Sequence, residues 1–173
     1  MIWIQLVGLL ALLLDVGSLQ LKQRKHILGT QILASLTWVT HFLLLGAVAG
    51  ASMNAVGVVR SLTYYKSRGD NRSVWVMWAI IALSCLVTAA VWQGPVNLLP
   101  MFAMIIAAIA FWQRGEQTIR LLLLLCVPLW LTYNIIFHSY AGIVSDLIAT
   151  ISAVIALYRY RKQGFRPAPS AGK

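Results

Sequence analysis

Apolar residues fall into seven stretches along the chain, approximately 2–20, 27–46, 48–65, 73–92, 97–113, 119–137 and 141–158. Each is close to the roughly 17–25 residues that a helix needs to cross a bilayer, so the pattern predicts seven transmembrane helices. The third and fifth are the shortest or the most interrupted by polar residues. The segments between them alternate in character. Lys22, Arg24 and Lys25 follow the first stretch, Lys66, Arg68, Asp70 and Arg72 the third, and Arg114, Glu116 and Arg120 flank the connection after the fifth. The second and third stretches are joined by the uncharged Gly46-Ala47-Val48-Ala49-Gly50, the fourth and fifth by Gln93-Gly94-Pro95-Val96-Asn97, and the sixth and seventh by His138-Ser139-Tyr140.

With seven crossings, thirteen of the fourteen Lys and Arg residues fall on one side, Arg60 being the exception. Basic residues accumulate on the cytoplasmic side, so the alternation predicts a periplasmic N-terminus and a cytoplasmic C-terminus. The end after Gln163 reads as a loose basic tail, whose attraction to anionic lipid needs no specific partner. The first stretch has no basic region before it and no Ala-x-Ala site after it, and is expected to remain in the mature protein rather than to act as a cleaved signal.

Composition narrows the class. Sixty per cent of the 173 residues are apolar and 10% are charged, against about 25% charged in ordinary soluble domains; the mean hydropathy is +0.80. A soluble globule, a disordered chain and a disulfide scaffold are excluded. The net charge of +10 reports topology rather than nucleic-acid binding. Cys85 and Cys126 each lie in an apolar run without a CxxC partner and read as packing residues.

A shift of 92 residues lays the chain over itself. Trp38-Val39-Thr40-His41 then matches Trp130-Leu131-Thr132-Tyr133, Ala49-Gly50 matches Ala141-Gly142, and Asn54 meets Asp146. The expected architecture is therefore all-α, with seven transmembrane helices as two parallel three-helix repeats joined by a linker helix. Residues 1–65 form the first repeat, 66–96 the loop and linker helix, 97–158 the second repeat and 159–173 a basic cytoplasmic tail. Parallel repeats of this kind occur among transporters.

Polar residues inside a membrane helix are costly and are functional candidates by default. Asp15 and Arg60 fall at similar depths and are expected to form a structural ion pair, as brace or gate; alternatively Arg60 extends to the cytoplasmic face beside Tyr64 and Lys66. Asn54 and Asp146, as repeat mates, would face each other across a pseudo-two-fold axis, where a solute site would be built. The alternative is local bonding, Asn54 to a neighbouring helix and Asp146 to Ser145, Ser139 or Thr150. Trp38 and His41 follow helical spacing, as do Trp130, Tyr133 and Asn134; these five join Asn54 and Asp146 as the expected substrate-binding set. Gln31 reads as a bond between helices, Pro100 and Pro128 as kinks, and Trp3, Trp75, Trp92 and Trp112 as an aromatic belt. No nucleophile elbow, HExxH, P-loop or paired-carboxylate motif is present, so no enzyme, catalytic residue, metal or cofactor is expected.

The segment Gln20-x-Lys22-x-Arg24-Lys25-x-Ile27-Leu28, then His41-Phe42-Leu43-Leu44-Leu45-Gly46-Ala47, then Tyr133-Asn134 and Ser139-Tyr140-Ala141-Gly142-Ile143, resembles the YgjV-like family of bacterial inner-membrane proteins from about residue 6 to 162. The resemblance implies a bacterial inner membrane and no particular activity. The architecture also looks like that of the SWEET and PQ-loop transporters. There an asparagine on each of the third and seventh helices contacts the sugar. The matching positions are Asn54 and Asp146; the acid at the second would suit a cationic or proton-coupled solute. The superfamily's Pro-Gln dipeptide is absent.

The expected function is movement of a small polar solute by alternating access, or else the binding of a protein partner or lipid without transport. The expected partners are the lipid bilayer and that solute, with no nucleic acid; a homo-oligomer is compatible with the sequence.

Overall fold

A computed structural model describes residues 2–18, 24–66, 74–113 and 116–162. The described residues form seven α-helices and no strand: α1 Ile2–Ser18, α2 Arg24–Leu44, α3 Val48–Lys66, α4 Val74–Ala90, α5 Leu98–Trp112, α6 Glu116–Ile136 and α7 Tyr140–Lys162. A 3-10 turn, Pro95–Asn97, leads into α5. α7 continues past the expected boundary at 158. Lys22, Arg68, Asp70, Arg72, Arg114 and the tail after Gln163 lie outside the described residues.

Six of the helices close into a ring in the order α1, α2, α3, α5, α6, α7, with α7 packed back against α1 and α3 against α5. α4 lies outside the ring against α3 and α5. Its buried residues, Met77, Ile80, Ser84 and Thr88, recur at three- and four-residue spacing and so form one narrow face. Met77 and Ile80 share a core with Met53 and Val56 of α3 and Met104 and Ala108 of α5.

The short connections α2–α3 and α6–α7 lie together at what we term the turn end; the opposite end is the linker end. Tight turns need one residue with positive φ. Gly46 supplies it in the first turn (φ 72°) and His138 in the second (φ 54°). The backbone bonds of the two turns correspond one to one. Gly46, Ala47 and Val48 donate to Leu43, Phe42 and Gly46; His138, Ser139 and Tyr140 donate to Ile135, Asn134 and His138. Gly46-x-x-x-Gly50 is thus a connection between helices, as its sequence suggests.

The packing is inverted relative to a water-soluble bundle. His41 and Ser139 are completely buried, and Asn134, Asn97 and Thr88 nearly so. Leu6, Leu10 and Leu13 of α1, Leu33 and Leu43 of α2, Leu121 and Leu125 of α6, and Leu147 and Ile151 of α7 face outward. Trp3, Trp75, Trp92 and Trp112 are exposed at or near helix ends, where amphipathic rings suit a membrane interface. Among the described residues, Pro95–Trp112 is the stretch of at least 18 residues that is apolar enough to cross a membrane; Ile2–Gly17, Val74–Ala90, Leu121–Ile136 and Tyr140–Ser152 are apolar but shorter. α2 and α6, at 21 residues each, span roughly 32 Å at about 1.5 Å per residue.

The two prolines differ. Pro128 lies inside α6, where it removes an intrahelical donor. Pro100 is the third residue of α5, in the first turn, where a proline needs no kink. Cys126 is buried between helices, its thiol 3.4 Å from the Ala103 carbonyl; Cys85 is exposed on α4.

Candidate functional site

The turn end of the ring is closed. Ala11, Trp38, Phe42, Ala47, Ala49, Ala51, Tyr133 and Ala141 form one buried cluster. Small residues dominate it because the helices approach too closely for larger ones. A Cβ on Gly50 would lie 2.6 Å from Cε1 of Tyr133, and one on Gly142 would collide with the side chain of Asn134.

Polar groups stitch this end together. His41 Nδ1 is 2.8 Å from the Ile4 carbonyl, and Nε2 is 2.9 Å from Ser139 Oγ. A carbonyl only accepts, so Nδ1 carries the proton and Nε2 accepts from the Ser139 hydroxyl. The same Ser139 oxygen accepts from the Gly142 N–H at 3.3 Å, capping the first turn of α7. Gln5 of α1 donates to the His138 carbonyl at 3.0 Å. The equivalent cap position before α3 is Ala47, which has no side-chain acceptor. Tyr133, from α6, replaces it by accepting the Gly50 N–H at 2.8 Å. One ring side chain of α2 thus closes on the start of α7, and one of α6 on the start of α3.

Beneath this closure lies a cavity of about 460 Å³ walled by all six ring helices. Its wall runs from Phe42, Asn134 and Gly142 toward the linker end at Gln31, Arg60, Phe111, Leu123 and Ser152. Small residues on the wall, among them Gly57, Ala107 and Ala149, leave the space open. The volume lies within the roughly 300–1,000 Å³ typical of small-molecule sites.

Five of the seven expected site residues line this cavity: Asn54, Asp146, Asn134, Trp38 and Trp130. His41 and Tyr133 do not. Both have no exposed surface and belong to the closure above it, because their polar atoms are taken up by Ile4, Ser139 and Gly50. Asn54 donates to the Gly50 carbonyl of its own helix at 2.9 Å. Asp146 accepts from Asn134 on α6 at 2.8 Å, rather than from Ser145 or Ser139, while Thr150 donates to its backbone carbonyl.

Asp15 and Arg60 both line the cavity. The Trp38 indole N–H donates to Asp15 Oδ2 at 2.6 Å. The Arg60 guanidinium lies 4.6 Å from the centre of the Phe111 ring, with Nη1 3.5 Å from Met104 Sδ. Gln31, expected to bond between helices, is on the wall as well.

Gln5 and Phe111 escaped sequence reasoning, and Ser139 entered it as an alternative partner of Asp146 rather than as the partner of His41. Ser139 had a usable signal, since a serine directly before an apolar helix is a cap candidate. Gln5 and Phe111 had none, because their roles depend on which helices become neighbours.

The chain matches the family described as Imp-YgjV, bacterial inner membrane protein, over residues 2–164. It is 25% identical over 164 residues to the inner membrane protein YgjV of Escherichia coli (strain K12), a match that covers 93% of this chain and 87% of that protein. No solved structure matches.

Proposed function

The chain belongs to the Imp-YgjV family of bacterial inner membrane proteins, and on that premise we propose that it moves a small polar solute by alternating access through the centre of the six-helix ring. The observation that carries this reading is the cavity at the ring axis, contributed to by every ring helix, closed at one end and lined by Asp15, Asn54, Arg60, Asn134 and Asp146 among apolar side chains. A structural bundle in a membrane would fill that space with apolar side chains, because polar wall residues have no compensating solvent there.

The site consists of Asn54, Asn134 and Asp146 with Trp38 and Trp130. Asp15 and Arg60 form the ion pair on the same wall, bracing α1 against α3 across the ring. The two halves, α1–α3 and α5–α7, are repeats about an axis along the membrane normal. In support of this, the ring order carries α1, α2 and α3 onto α5, α6 and α7. The two turns also make corresponding backbone bonds 92 residues apart. Under the positive-inside rule the turn end is periplasmic, and the described conformation is the one closed to the periplasm. Opening that end requires His41 to leave Ser139 and Tyr133 to leave Gly50.

Counterflow into proteoliposomes tests the proposal. Vesicles are loaded with a pool of sugars, amino acids, amines and nucleosides, and uptake of each labelled member is measured for wild type and Asp146→Asn. The expected result is exchange of one chemical class by wild type, lost in the variant at unchanged thermal stability. Equal leakage of all classes in protein-containing and empty vesicles contradicts it and favours a partner- or lipid-binding role.

A further inference from the structure

The cavity opposes the charge of the chain that builds it. The protein carries fourteen basic and four acidic residues, yet two of the four acids, Asp15 and Asp146, stand on the cavity wall against one base, Arg60. With all three groups ionised, the wall carries one negative charge in excess.

With Asp15 paired to Arg60 as proposed above, that charge belongs to Asp146. Among the described residues its carboxylate accepts one side-chain hydrogen bond, from the neutral amide of Asn134, and forms no ion pair. A carboxylate at membrane depth without a counter-charge is a destabilising arrangement. A bound cation removes it.

The hydrogen-bond ledger of the wall points the same way. Trp38, Asn54 and Asn134 each direct an N–H at a protein acceptor, Asp15, the Gly50 carbonyl and Asp146 respectively. Acceptor atoms remain: the second oxygen of Asp146 and the amide oxygen of Asn54 have no hydrogen-bond partner among the described residues. These two oxygens lie on the wall where a ligand N–H can be accepted.

The aromatic lining adds a size and shape. Trp38, Phe42 and Trp130 stack in sequence across α2 and α6. Ring centroids are 5.8 Å apart at an interplanar angle of 28° for the first pair, and 5.9 Å apart at 26° for the second. All three rings line the cavity. Aromatic faces attract cations through the ring quadrupole, and most strongly when water is excluded. Among the described residues no cluster of three His, Cys, Asp or Glu side chains could hold a metal ion, and about 460 Å³ is far more than a bare inorganic cation occupies.

We infer that the solute is a small organic monocation, its charged nitrogen on Asp146 and Asn54 and its carbon body against the Trp38–Phe42–Trp130 face. This rests on the reading of the cavity as a solute site.

Ligand-dependent thermal stability of the full chain in detergent tests it. The probes are choline, benzyltrimethylammonium, phenethylammonium and agmatine. Each is compared with a neutral counterpart (3,3-dimethylbutan-1-ol for choline), and glucose, glutamate and sodium ions are run beside them. Dose-dependent stabilisation by at least one organic cation is expected, with its neutral counterpart at least tenfold weaker. Asp146→Asn should lose the cation's effect by at least tenfold while melting unliganded at the wild-type temperature. Trp130→Ala, at the far end of the aromatic face, should weaken the aromatic cation more than agmatine. Stabilisation by glucose, glutamate or a neutral counterpart alone would overturn the cation assignment and leave the solute site standing. Stabilisation by sodium alone would replace an organic cation with an inorganic one. No stabilisation by any probe would overturn both the cation assignment and the site. If Asp146→Asn does not fold, Asp146→Glu keeps the charge but shifts it, and an unaltered cation affinity in that variant contradicts direct contact.

Discussion

At the turn end of the ring, His41, Tyr133 and Ser139 are enclosed and each polar atom of their side chains has a partner. Deeper in the ring, Asn54 and Asp146 share a wall with Asp15 and Arg60 around open space. The two regions use similar residue types and differ in the size of their neighbours. Alanine and glycine at 47, 49, 50, 141 and 142 bring the backbones together where the end is sealed. Near the cavity, comparable small residues at 57, 107 and 149 border open space, and a Cβ on Gly57 would meet Met104 Cε at an ordinary 3.6 Å. A small residue seals a helix pair where an opposing side chain presses into the gap, as Tyr133 does at Gly50 and Asn134 at Gly142, and borders open space where the contact is looser, as at Gly57.

Enlarging a residue in each region should break the symmetry of that statement most visibly. Gly50→Val forces a side chain into the Tyr133 ring and is expected to cost about 2–3 kcal/mol, read as a fall of several degrees in the thermal midpoint. Ala107→Leu projects into the cavity and should change stability by less than about 1 kcal/mol. Equal losses in the two variants would mean that the cavity is filled in the protein as purified.

His41→Ala is next in size. It leaves the Ser139 hydroxyl without its acceptor and opens a void between α1 and α2, for a loss of about 2 kcal/mol. Tyr133→Phe removes only the hydroxyl that caps α3 and should cost about 1 kcal/mol. Adding Ala47→Ser, which places a hydroxyl where the second turn already has one, should restore most of that loss. A double mutant no more stable than Tyr133→Phe would show that the Gly50 N–H is satisfied in another way. The smallest stability effect is expected for Asp146→Asn. It removes a carboxylate with no counter-charge and keeps the Asn134 contact within reach, so its stability should stay within about 0.5 kcal/mol of wild type or rise slightly.

Much of the fold was legible along the chain. Each charged connection and each uncharged turn marked one end of the bundle, and the helices fall where apolar stretches ended at Lys22, Gly46, Lys66, Gly94, Arg114 and His138. The cavity wall was legible at Asn54, Asp146, Asn134, Trp38 and Trp130 because polar or indole groups at membrane depth are rare. His41 and Tyr133 carried the same signal and serve the closure instead. Periodicity places a residue on a face of its helix but says nothing about its height relative to Ile4, Ser139 and Gly50, which come from helices up to 98 positions away. The lining role of Phe111 was hidden for a related reason: only the parallel packing of α3 on α5 sets its ring beneath Arg60.

The central claim is that a sealed turn end and the cavity below it are two stages of one path through the membrane. Single cysteines placed in a background without Cys85 and Cys126 test it most directly. Asn54→Cys and Ser145→Cys on the wall, with Leu43→Cys on the outer face of α2 as a lipid-facing control, are exposed to a membrane-impermeant thiol reagent from each side in turn. The account predicts rapid labelling of the wall cysteines from the cytoplasmic side and slower labelling from the periplasmic side, accelerated by His41→Ala, with the control unreactive from both. Wall cysteines as inert as the control from both sides would contradict it.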